Sequence, residues 1–209
     1  MITLTPNKKR KTMQQQEIDI EALKKDEEFL GNLKTIETEM KAENSIAKGY
    51  QLLDAKLLLE APEDEINDIF TFIVNTAFDV LAENLTQHKG FDMAEYEDLA
   101  TARAIYEHGI QRYSENDIKG AKEIFLVLHH TMKSEELKDA MMIHACAVMA
   151  GHSFDDFIQN LVDTSGVDES DPTAFFIQTF VQPNDILLTM FAKFVKLGKE
   201  ELKVLEESK

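Results

Sequence analysis

The sequence predicts an all-α protein, an array of helix pairs behind an N-terminal helical extension, and three observations carry that prediction. Apolar residues recur at three- and four-residue spacing in nearly every window. Eight glycines and four prolines interrupt 209 residues, too few for the regular turns of a β-protein. No run alternates polar with apolar in the manner of a half-buried strand.

Composition narrows the function classes. With 22 Lys plus Arg against 39 Asp plus Glu, the net charge is -17, and such a surface repels nucleic acid, whose binding rests on neutralising phosphates. Lys8, Lys9, Arg10 and Lys11 form the one basic cluster, read as a solubilising tail or an anchor for an acidic surface. The 44% hydrophobic content suits a single globular domain with an extension. Cys146, the single cysteine, cannot form an internal disulfide, so a reducing compartment and a cytoplasmic location are expected. The polar N-terminus offers no secretory signal, and no stretch of about 18 apolar residues offers a membrane span.

The elements come in order. Residues 1–16 read as a disordered basic tail and residues 17–60 as a helical extension, made of charged patterns over 18–31 and 32–59. The second pattern has Leu33, Ile36, Met40, Ile46, Tyr50, Leu53, Leu57 and Leu58 at its apolar positions. Pro62 with Glu63, Asp64 and Glu65 starts a helix, since proline is tolerated in the first turn and acids there complement the helix dipole. That helix, 66–85 within a segment 61–90, serves either to pack on the helix pairs C-terminal to it or as a dimer contact, and Gln87-His88-Lys89-Gly90 stops it.

Residues 91–198 then change to short paired helices. Gly109 stands twelve residues before Ala121, Phe125 comes four later, and Ser114-Glu115-Asn116-Asp117 makes the turn between. This is the pattern of the tetratricopeptide repeat, in which a small residue of the first helix lets a bulky residue of the second pack close. A looser copy has Ala145, the turn Gly151-His152-Ser153 and Phe154 to Ile158, and Phe157 lies 36 residues after Ala121. A third begins at Asp168-Glu169-Ser170-Asp171-Pro172, with helices expected over 174–180 and 186–197, and 199–209 form a helical end. The array is degenerate: no copy starts with Trp, His108 replaces a usual Leu, and Phe157 replaces a small residue.

Stacked pairs of this kind expose a concave face suited to an extended peptide or a helix. Helical counting points Tyr106, Ile110 and Tyr113 into it, with Arg103 at its edge. In the second copy Met142, Cys146 and Met149 take those places, or Met141 and Ala145 if the turn carries an insertion, and Phe176 and Phe180 belong to the third. The competing assignment is that these side chains fill the helix-pair core.

The stretches 105–113, 117–128 and 144–158, with the acid-Pro-aromatic run 171–176, resemble the class II chaperones of bacterial type III secretion, the SycD/LcrH family. The resemblance covers about half the chain, roughly 95–197. It implies a cytoplasmic chaperone with three degenerate repeats that binds an extended apolar segment of hydrophobic translocator proteins, and a homodimer formed through N-terminal helices. It implies no enzymatic activity, no cofactor and no metal. By position Tyr106 and Tyr113 match the family's groove aromatics, while Ile110 and Ile118 stand where it has other aromatics.

Enzyme motifs are not found: there is no glycine-rich phosphate loop, no G-x-S-x-G and no H-E-x-x-H. His129 and His130 are adjacent, so on a helix they point about 100° apart rather than converging on an ion. The alternative function is a repeat scaffold or regulatory adaptor for a folded protein or a charged tail; an adaptor for acidic tails would need a row of Lys and Arg on the concave face.

Overall fold

A computed structural model describes residues 19–165 and 170–207, with side chains up to Lys203. The expected basic tail over 1–16 lies outside these residues, as do Asp168 and Glu169 of the expected third start. The described chain is all-helical, with two isolated bridges and no strand: α1 (Ile20–Leu23), α2 (Glu27–Glu43), α3 (Ile46–Leu58), α4 (Glu63–Gln87), α5 (Tyr96–Ser114), α6 (Ile118–Thr131), α7 (Glu135–Ala150), α8 (Phe154–Asn160), α9 (Asn184–Met190) and α10 (Ala192–Glu207). Among these residues no helix is long and apolar enough to cross a membrane.

Capping chemistry sets the boundaries. The Asp26 carboxylate accepts from the N–H groups of Glu28 and Phe29, both at 3.0 Å, and opens α2. Asn44 closes α2 in the left-handed region at φ 52°, and the Ser45 hydroxyl then caps α3 by accepting from the Lys48 N–H at 3.1 Å. The single helix expected over 32–59 is therefore two, because Asn tolerates a positive φ and Ser restarts the backbone ladder. The acidic start at Pro62 and the stop at His88 lie where the sequence predicts them.

From α3 onward successive helices pack side by side, α3 on α4, α4 on α5, α5 on α6 and α6 on α7, and α10 closes the far end against α7 and α6. Helices α3, α5 and α7 share an inner layer, tied by the Tyr50 hydroxyl donating to Glu107 at 2.7 Å and by Tyr106 meeting His144 at 3.2 Å. Helices α6 and α10 meet in the outer layer, where Lys122 pairs with Glu201 at 2.7 Å. One apolar core runs from Leu33 to Leu202.

The small-residue device predicted for the α5/α6 pair is present. A Cβ on Gly109 would lie 2.8 Å from Ile124 Cγ2 and 3.1 Å from Phe125 Cε1, so only glycine lets α6 come this close. Phe125 is fully buried as a result, worth about 2–3 kcal/mol of apolar burial.

The third expected pair forms differently. Residues 174–180 make no helix, and the helix expected over 186–197 is broken at Phe191 into α9 and α10. Asp171 draws the chain into a turn by accepting from the Thr173 N–H at 2.7 Å and the Thr173 hydroxyl at 2.8 Å. The stretch Phe175-Phe176-Ile177-Gln178-Thr179-Phe180-Val181 is rich in aromatic and β-branched residues, which suit extended backbone better than one isolated helical turn. Helix α10, past this detour, takes the place beside α7 that a second helix would fill.

Candidate functional site

Between α8 and α9 the described residues, 161–165 and 170–183, form a strap laid across the inner layer. Its two arms pair antiparallel: the Asp163 N–H donates to the Thr179 carbonyl at 3.0 Å and the Val181 N–H to the Leu161 carbonyl at 2.9 Å. The Thr179 hydroxyl adds a bond to the Asp163 carbonyl at 2.9 Å. The second arm and the turn before it present Phe176 and Phe180 to the helices. Phe176 stacks edge-on against Tyr106 with ring centroids 5.0 Å apart, and Phe180 packs on His144 at 6.1 Å and on Phe157 at 6.3 Å.

A buried hydrogen-bond chain joins strap and helices. The Ile177 N–H donates to the Tyr106 oxygen at 3.0 Å, and that oxygen lies 3.2 Å from His144 Nε2. His144 Nδ1 lies 2.7 Å from the Ala140 carbonyl. A carbonyl only accepts, so Nδ1 carries the proton, Nε2 accepts from the Tyr106 hydroxyl, and the hydroxyl oxygen is left to accept from Ile177. A neutral histidine thus satisfies every polar atom of this hydrogen-bond chain. Burial pushes the His144 pKa down to about 4, against a smaller opposing effect of its bond to Ala140, and burial raises the Tyr106 phenol above its ordinary range.

At its edge the strap engages the charged group that helical counting places there. The Arg103 guanidinium lies 4.1 Å from the Tyr50 ring centroid and 5.3 Å from that of Phe175, while its Nε donates to Glu107 at 2.8 Å. Beside Phe176 a cavity of about 260 Å³, lined by residues that include Met93, Ser134, Leu137, Thr173 and Gln178, separates the strap from the start of α7.

The predicted groove residues do not line one surface. Tyr106 and Tyr113 belong to the inner aromatic cluster, yet both are buried; Tyr113 donates to the His152 carbonyl at 2.9 Å and packs on Phe154 and Phe157. Ile110 is half-buried against the core. Met142 and Met149 point elsewhere, since their Sδ and Cε lie 3.4 and 3.6 Å from where a Cβ on Gly198 would stand, so they pack beneath α10. Cys146 is wholly buried, and burial pushes its thiol up to about 12, which leaves no thiolate for chemistry near neutral pH. Phe176 and Phe180 sit on the strap and are occupants of the face rather than its wall. This corrects the expectation of an open groove lined by all eight.

The residue that sequence reasoning misses is His144. Helix α7 is buried on every side, including Leu137 and the whole run from Ala140 to Val148, so its apolar period carries no face information. Among the described residues no group of three or more His, Cys, Asp or Glu is placed to share an ion. Compared with protein-family models, with curated proteins and with solved structures, the chain matches none.

Proposed function

We propose that the protein is a non-enzymatic, cytoplasmic chaperone of the class II type III secretion kind, holding an extended apolar segment of a hydrophobic translocator protein on the inner layer of α5 and α7. One observation carries this reading. The inner layer takes an aromatic-anchored length of polypeptide, a turn ending at Phe176 followed by irregular backbone over 177–180, and engages it through a backbone N–H at Tyr106 and through rings packed on Tyr106 and His144. Main-chain hydrogen bonding plus pockets for alternate side chains is a recurring mode of extended-peptide recognition. The repeat-like packing at Gly109 and Phe125 supports it as well. The charge of -17 favours a carrier of aggregation-prone clients, because like-charged complexes repel one another.

An adaptor for acidic tails would want a row of free cations on this face, whereas Arg103 there is already engaged by Glu107. A homodimer contact, as the resemblance implies, fits the outward side of α4, where Phe70 is exposed. The test is co-expression with a secreted protein from the same source that carries membrane-inserting segments. A client held in the soluble fraction as a defined complex is expected. A client that stays insoluble, with only folded cytoplasmic partners recovered on the tagged chain, overturns the reading.

A further inference from the structure

We infer that residues 175–181 are a built-in competitor: they occupy the surface meant for a partner's segment, and that segment is a peptide that leaves a turn and runs on without helix, with apolar rings four residues apart, matching Phe176 and Phe180. The inference rests on the peptide-binding reading above and names what the surface selects and what guards it.

Three features of the strap point this way. Its central bond to the helices is made by a backbone N–H, that of Ile177, to Tyr106. Any extended peptide can supply the same donor, so the Tyr106–His144 pair recognises polypeptide as such and leaves selection to the flanking rings. The side chains that dock, Phe176 and Phe180, stand four apart with Ile177, Gln178 and Thr179 between, so the strap itself states the motif. The strap also fits incompletely: it leaves unfilled the cavity of about 260 Å³ beside Phe176 and Thr173, whose lining is mixed, with Met93 and Leu137 beside Glu136, Asp171 and Gln178.

Displacement is feasible because the strap's hold on the helices is local, one backbone bond from Ile177 to Tyr106 and the packing of Phe175, Phe176 and Phe180. Its arms bond mainly to each other, at 161–163 and 179–181, while Val181, at the end of one arm nearest α9, stays 51% exposed. Helices α5, α6, α7 and α10 pack on one another without it. Segments with few buried contacts and backbone bonds open at lower free energy than the core they cover. Occupancy by the chain's own segment reduces the apparent affinity for a partner by the fraction of time the face is free.

The test uses a fluorescein-labelled peptide of residues 173–182 added to the full chain, read by anisotropy. A Phe176→Ala/Phe180→Ala double variant, and separately Ile177→Pro, which deletes the N–H, should bind it at least tenfold more tightly than the wild type. The same peptide with both ring positions changed to alanine should bind neither. Failure of both variants to bind, with helical circular dichroism and thermal midpoint retained, overturns the inference. Should the variants lose their fold, hydrogen exchange on the wild type with excess unlabelled peptide decides it: faster exchange at Ile177 and Val181 is expected, and unchanged exchange overturns it. Because the probe is the chain's own segment, peptide binding without any secreted client would leave this inference standing and remove only the secretion chaperone.

Discussion

The two helix pairs α5/α6 and α7/α10 reach the same packing by different routes. In the first, the partner helix comes at once through the turn at Glu115–Asp117, and Gly109 of the leading helix admits Ile124 and Phe125. In the second, the partner arrives only after α8, the strap and α9, and its glycine makes the tight approach to α6 instead: a Cβ on Gly198 would stand 2.8 Å from Leu126 Cδ2 of α6, and at an ordinary 3.4 Å from Met142 Sδ of α7. A small residue admits a close approach in each case, between the paired helices in the first and of α10 onto α6 in the second. Loop length costs little in closure entropy, so the residues left over in the second pair are free to cover the inner layer.

The largest effect should separate core from strap. Phe125→Ala removes a ring buried between Tyr106, Tyr113 and His144 and should lower unfolding free energy by about 4 kcal/mol in urea titrations. Phe176→Ala, also buried, should cost about 1–2 kcal/mol, because the strap can loosen without unfolding the helices. Equal costs would break the comparison and make the strap part of one cooperative unit.

Next comes pH. The buried His144 has its pKa near 4, while in the unfolded chain it titrates near 6.5. Between those values the unfolded state binds the extra proton, so stability falls as pH falls. From pH 7 to pH 5 this one residue should cost about 2 kcal/mol. His129 and His108 are pushed in the same direction, each chiefly by burial, so the wild-type slope is steeper still. His144→Gln keeps an acceptor for Tyr106 and a donor for Ala140 without titrating; the difference between its slope and the wild type's isolates the residue. Parallel slopes would sink the assignment.

How far the sequence can be read depends on what each stretch has to bury. Pro62 and the acids after it, His88, Gly109 with Phe125, and Gly151 all mark local chemistry, and each lies where expected. The break at Asn44 and Ser45 is hidden because the apolar period runs on through both helices, from Leu33 and Met40 to Ile46 and Tyr50. The face of α7 is illegible because both sides are buried, under the strap and under α10, so helical counting sends Met142 and Met149 to the wrong side and passes over His144. The strap reads as a helix because Asp171 and Pro172 imitate a helix start; the aromatic and β-branched run after them is the contrary signal.

The smallest effect concerns how the N-terminal pair joins the rest. Glu97 on α5 accepts from the Ser45 hydroxyl and from the N–H groups of Ile46 at 2.9 Å and Ala47 at 3.3 Å, so a side chain of one helix caps the start of another. The carboxylate also faces the positive end of the α3 dipole. Glu97→Ala strands those donors and should cost about 1 kcal/mol; Glu97→Gln, which keeps an acceptor oxygen, should cost only a few tenths of that unit. The amides of Ile46 and Ala47 should exchange faster in the alanine variant while those of α6 and α7 do not change. If α6 and α7 loosen equally, the N-terminal pair is no separate module but one with the array, and the boundary between strap and helices is then the only seam among the described residues.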